Sequence, residues 1–168
     1  MHLRKYLLYF SLLLSVNLLV SCDDDDDEDT TPNKTDMLVS GEWRGDQIRL
    51  NGTNPANIPG IGNNANAFQT LVLDFEEDNT YTANFTAGGQ PQSFDGTWEL
   101  NSDQSKITLD TFGELDVETL TEEDLEVTTT LETSEIAILA EIFGVDPALI
   151  QLFTGGNAID TEMQFVKQ

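Results

Sequence analysis

From Gly41 onward the chain alternates apolar and polar residues with a period of two, and that alternation commits it to a sheet half in water. Leu71, Leu73 and Phe75 alternate with Thr70, Val72 and Asp74; Tyr81, Ala83 and Phe85 alternate with Thr80, Thr82 and Asn84. Phe94, Gly96, Trp98 and Leu100 keep the same beat, as do Ile107 and Leu109, then Leu125, Val127, Thr129 and Leu131, and finally Met163 and Phe165. Each run has one apolar and one polar face, as an antiparallel strand buried on one side requires. The Thr, Val, Phe and Tyr that fill these runs suit a pleated, half-buried surface. The pattern predicts eight strands, at about residues 42–50, 69–76, 79–86, 93–100, 106–111, 114–120, 124–132 and 160–167. Polar or glycine-rich turns at 76–79, 88–91 and 101–105 join neighbours in order. Closing such a meander removes its exposed edges. The expected fold is therefore mainly β: an antiparallel eight-stranded up-and-down barrel with a short helical insert before the last strand.

Two segments interrupt the meander. Residues 51–67 are rich in Asn, Gly and Pro and read as a long mobile loop at one mouth of the barrel. Residues 134–153 carry helical spacing instead, through Ile136, Leu139 and Phe143 and then Leu149, Ile150 and Phe153. Ser134 is the expected cap of a first helix ended by Gly144; Asp146-Pro147 opens a second that Gly155-Gly156 ends. With Leu152, these side chains are too apolar to leave in water. They either plug an open end of the barrel as core or form a lid or docking face.

The first 21 residues are of another kind. Arg4 and Lys5 precede an apolar run from Leu7 to Val20 that is short for a bilayer span, and Leu19-Val20-Ser21-Cys22 closes it. This ending resembles the lipobox of bacterial lipoproteins, which implies a signal peptide at 1–21 and a lipidated (palmitate-type acyl) Cys22 as the mature N-terminus. Cys22 is the only cysteine, so no disulfide competes for it. Seven consecutive carboxylates at 23–29 follow, and their mutual repulsion keeps such a run solvated and extended. The run resembles the export signal that, in Bacteroidota lipoproteins, sends the anchored protein to the outer face of the outer membrane. Asp29-Thr30-Thr31 resembles the O-glycosylation sequon of that phylum, with Thr30 as acceptor. Residues 22–36 are thus expected to be an acidic linker, and 37–168 one barrel domain.

Composition removes functions. The chain carries 31 acidic residues and a net charge of -24, so nucleic acid, which needs basic neutralising contacts, is excluded as a partner. The single histidine, His2, lies in the leader. A mature chain without histidine and with its one thiol acylated cannot run Ser-His-Asp or Cys-His catalysis and offers no His/Cys zinc site. No carboxylate spacing singles out a glycosidase pair. The expectation is a protein that is not an enzyme and has no cofactor or metal.

Gly41-Glu42-Trp43 on the first strand resembles the Gly-x-Trp motif of lipocalins, where the indole closes one barrel end. Gly96-Thr97-Trp98-Glu99-Leu100, after Phe75-Glu76-Glu77-Asp78-Asn79-Thr80-Tyr81, resembles the central hairpins of lipocalin-like lipoprotein domains of Bacteroidota, and residues 115–125 are similar to their later strand pair. The resemblance spans about residues 38–167. It implies a barrel that binds a small apolar or amphipathic molecule, with Phe75, Tyr81, Phe85, Phe94 and Trp98 available to line the cavity. Two departures stand out: Lys167 is the only cation where lipocalins place an arginine over the motif tryptophan, and the helical insert precedes the final strand. Core packing is the simpler role for Trp43 and Trp98. The alternative function is a non-catalytic surface interaction module with a filled barrel: an adhesin, an inhibitor or an accessory subunit of an envelope complex. A ligand-sized hollow in the barrel would favour binding; a solid core beneath an exposed apolar insert would favour the module.

Overall fold

The computed structural model describes residues 33–168; Cys22, the acidic run 23–29 and Thr30 lie outside the described residues. Eight antiparallel strands close into one barrel in sequence order: β1 (Trp43–Leu50), β2 (Val72–Phe75), β3 (Thr80–Ala87), β4 (Gln90–Leu100), β5 (Lys106–Leu109), β6 (Gly113–Leu120), β7 (Asp124–Leu131) and β8 (Ile159–Lys167). Helix α1 (Lys34–Val39) precedes β1, while α2 (Ile136–Phe143) and α3 (Pro147–Thr154) lie between β7 and β8. The alternation does what the pattern demands. Tyr81, Ala83 and Phe85 of β3, and Ile159, Thr161, Met163 and Phe165 of β8, face inward and are buried. A bulge between Gly45 and Gln47 admits one extra residue, so Trp43 and Gly45 on one side of it and Ile48 and Leu50 on the other all point into the core.

The register defines two ends. The foot, where β1 begins, carries α1, the turns at 76–79, 101–105 and 121–123, and the close of β8. Trp43 is fully buried there and donates from Nε1 to the Leu38 carbonyl at 2.9 Å. Lys167 Nζ lies 5.6 Å from the Trp43 ring centroid and bonds Ser40 Oγ, so a lysine takes the capping position of the missing arginine. Helix α1 starts earlier than the expected domain start at 37. Asn33 caps it by accepting from Thr35 N at 3.1 Å, and Lys34 Nζ donates to the Gln104 carbonyl at 2.8 Å.

The opposite end, the crown, carries the β1–β2 connection and the insert. Here the structure corrects two expectations. Residues 51–67 are built, not loose: 3-10 turns at Pro55–Asn57 and Gly62–Thr70 bury Ile58, Ile61 and Phe68. The second of these turns replaces the first residues expected in β2 and packs between β1 and β3, where Thr70 Oγ1 accepts from Thr86 N at 2.9 Å. Gly45 makes this possible, because a Cβ there would sit 2.2 Å from the Phe68 carbonyl oxygen. Ser134 is not the cap of α2. Glu135 holds the N-cap position and its carboxylate accepts from Glu132 N at 2.8 Å, fixing the approach from β7. The other helix boundaries fall as expected: Gly144 and Gly155 end their helices in the left-handed region (φ 61° and 65°), and Asp146 accepts from Ala148 N at 2.9 Å. The two helices meet at 120°, and no single helix among the described residues is long and apolar enough to cross a membrane. Pro32–Gln168 forms one compact unit that holds the whole barrel and its core, the anatomy of a domain with its own hydrophobic core.

Candidate functional site

Phe75, Tyr81, Phe85, Phe94 and Trp98 come together on one inner wall, formed by β2, β3 and β4. Phe75 meets the Trp98 ring edge-on at 5.4 Å and the Tyr81 ring at 6.4 Å, while Phe85 and Phe94 stand 5.1 Å apart nearer the crown. Four of the five are buried, and Phe94 is half-buried. Their polar tips differ. Trp98 Nε1 donates to the Glu76 carbonyl at 3.1 Å, which ties the indole to the foot hairpin as structure. The Tyr81 hydroxyl, on a side chain only 2% exposed, has no hydrogen-bond partner among the described residues. Burial pushes the Tyr81 phenol up; Thr111, near but outside hydrogen-bond geometry, opposes this, and the Asp110 and Asp95 carboxylates add to the rise.

The hydroxyl sits at a seam. β4 pairs with β5 only through Trp98, Glu99 and Leu100, and Asp110 N donating to the Thr97 carbonyl at 3.1 Å is the last backbone bond across it. Toward the crown β4 runs on alone on that side, and Gln92, Ser93 and Asp95 are exposed. Gly96, opposite Tyr81, leaves a notch in the wall: a Cβ there would lie 2.1 Å from Asp110 Oδ1 and 2.7 Å from Tyr81 Cε1. Gly96 and Asp110 were not anticipated as site residues. The signal was a glycine in the inward phase between Phe94 and Trp98, which marks a close approach inside a strand.

The barrel is shut at both ends. Beneath the crown, Ile136, Leu139, Ile142 and Phe143 of α2 and Ile150 of α3 belong to the same buried cluster as the barrel interior. Leu149 and Leu152 are the exceptions, 37% and 81% exposed. A hollow of about 740 Å3 lies at the foot between α1, the β6–β7 turn and the end of β8; one of about 490 Å3 lies over the outer face of β4 and β5, and a crevice of about 180 Å3 lies between β1 and the 3-10 turns. None of these is lined by Phe75, Tyr81, Phe85 or Phe94. The aromatic wall and the inward side chains of the crown form one buried apolar cluster.

A closed, eight-stranded, up-and-down barrel with a buried tryptophan at the foot of its first strand and an aromatic inner wall has the architecture of a lipocalin-like protein. The model of the lipocalin-like domain family matches residues 39–127, more than half of the chain, and the chain belongs to that family. The match ends within β7, so α2, α3 and β8 lie beyond it. Among solved structures, the chain is similar to an odorant-binding protein from bovine nasal mucosa, at 20% identity over 81% of this chain and 74% of that one, with a TM-score of 0.44. Similar too are the complex of bovine odorant-binding protein with undecanal (20% identity, 81% and 74% covered, TM-score 0.43) and a further odorant-binding protein (12%, 76% and 70%, 0.41). No curated protein sequence matches the chain.

Proposed function

We propose that this is a lipid-anchored protein of the outer membrane, facing the cell exterior, whose barrel binds a small apolar or amphipathic molecule without catalysing its conversion. The observation that carries the binding reading is the aromatic wall with one buried, unpartnered hydroxyl on it. An unpaired buried polar group costs roughly 1–3 kcal/mol, and a ligand that pairs with it removes that cost. In the closed form the space is held by α2, whose ends are the glycine joint Gly144 and the connection after β7. Binding therefore requires the crown to withdraw, and the ligand takes the volume that Ile136, Leu139 and Phe143 vacate. The lipobox ending at Cys22 and the acidic run 23–29 support the anchor and the address.

The filled interior and the exposed Leu152 favour a second reading, a surface interaction module that docks an envelope protein and never opens. Extraction of lipids and metabolites from protein purified out of its own membrane, followed by mass spectrometry, separates the two. A stoichiometric co-purifying small molecule is expected; a clean protein that instead carries a protein partner would favour the module. Cys22→Ser should abolish detergent partitioning, and deletion of residues 23–29 should protect the protein from protease added to intact cells.

A further inference from the structure

The seam between β4 and β5 says which head group the barrel would accept. The inference rests on the binding reading above and narrows it. The Tyr81 hydroxyl is the one buried side-chain polar atom without a partner among the described residues. It belongs to a ring that lies in the Gly96 notch together with Asp110 Oδ1. Asp110 and Asp95 both act on this phenol as negative charges. Asp110 Oδ2 accepts from Thr97 Oγ1 and Oδ1 from Thr111 Oγ1, each at 3.2 Å, and no lysine or arginine pairs with Asp110 or Asp95 among the described residues. Lys106 is held by Glu114 and Asp116, and Lys167 by Ser40 and the Trp43 ring. Beyond the notch, β4 has no β5 partner on the crown side, and its Gln92, Ser93 and Asp95 are exposed.

We infer that the ligand is a molecule with an apolar tail and a neutral or cationic hydrogen-bonding head, an alcohol or an amine, and not a fatty acid. The tail lies along Phe75, Phe85 and Phe94, and the head meets the Tyr81 hydroxyl at the notch beside Asp110. A phenol can donate to an alcohol oxygen or accept from an alcohol or ammonium proton. A carboxylate head at the buried Tyr81 hydroxyl would lose its own hydration, and the exposed Asp95 and Asp110 carboxylates beside it offer repulsion, screened by solvent, in place of a compensating cation.

The test uses the soluble unit of residues 32–168 at neutral pH and physiological ionic strength, with three probes of equal chain length: dodecan-1-ol, dodecylamine and dodecanoate. Binding is read by tryptophan fluorescence and calorimetry. The alcohol and the amine should bind at least about tenfold more tightly than dodecanoate, an advantage the size of one charged contact. Tyr81→Phe should weaken dodecan-1-ol about tenfold, the usual scale for losing a buried hydrogen-bond partner, while the melting temperature holds or rises. Dodecan-1-ol is uncharged, so that loss cannot arise from the protein's net charge. Dodecanoate binding as tightly as the alcohol, or an unchanged alcohol affinity in Tyr81→Phe, would overturn the head-group assignment while leaving a binding barrel in place. Failure of all three probes to bind would overturn the binding reading itself, and this assignment with it.

Discussion

The foot and the crown close the same barrel by opposite means. At the foot, the central bond is local and the staples around it are long-range: Trp43 bonds a carbonyl five residues before it, while α1 is tied to the distant β4–β5 turn through Lys34 and through Gln104 Nε2, which donates to Asn33 Oδ1 at 3.0 Å. At the crown, the closing residues come from two stretches far apart in the chain, 51–70 and 136–154, that must find each other in space. They meet through Leu149 against Gly60 and through a long 3.5 Å bond from Asn64 Nδ2 to the Gly144 carbonyl. A closure that is local and bonded at its centre is part of the barrel's stability. A closure docked from two separate segments can leave as a unit and let the barrel stand, as sub-global opening requires.

Mutations at the two ends should therefore differ in size. Trp43→Ala removes a fully buried indole and its hydrogen bond, and should cost about 3–5 kcal/mol in chemical denaturation, enough to leave the domain near the edge of folding. Phe143→Ala removes an equally buried ring at the crown. If the crown opens before the barrel, its global cost is limited by the smaller opening free energy, about 1–2 kcal/mol, and the denaturation slope should fall, because the crown's surface is exposed before the global step. A cost as large as that of Trp43→Ala would make the crown ordinary core and break the comparison. Lys167→Met at the foot keeps the stem and loses the cation over Trp43, a change of about 0.5–1 kcal/mol that Lys167→Arg should not show. Leu152→Ser at the crown should move stability by less than about 0.5 kcal/mol, because that side chain is already in water. A larger loss would place Leu152 in a contact between copies.

The barrel was legible because its strands carry their burial in their own alternation; β3, β6 and β7 lie within a residue or so of where the pattern puts them. The segment 62–70 was not, because Asn, Ala and Gln there give no period. Its order comes from Phe68 settling over Gly45 and against Phe165, ring centroids 5.3 Å apart, which only the folded barrel provides. Helix α1 was missed for a similar reason: six residues do not make a helix unaided, and Asn33, Leu38 and the Trp43 indole hold it. Of the five aromatic residues, all were placed on the inner wall by phase alone. Which of them keeps a free polar tip was beyond the pattern, since Trp98 finds its partner in Glu76, 22 residues away, and Tyr81 finds none among the described residues.

The most direct test of a removable crown is native-state hydrogen exchange on the ligand-free domain, read amide by amide. The amides of α2 and α3, including Gly144 and Val145, which bond back to Glu141 and Ala140, should exchange through a shared opening several kcal/mol below global unfolding, while those of β1, β7 and β8 exchange only with the whole domain. Crown amides protected to the same level as the β7–β8 ladder would contradict the account: the helices would then be a fixed plug, and the barrel a solid body with no ligand to admit.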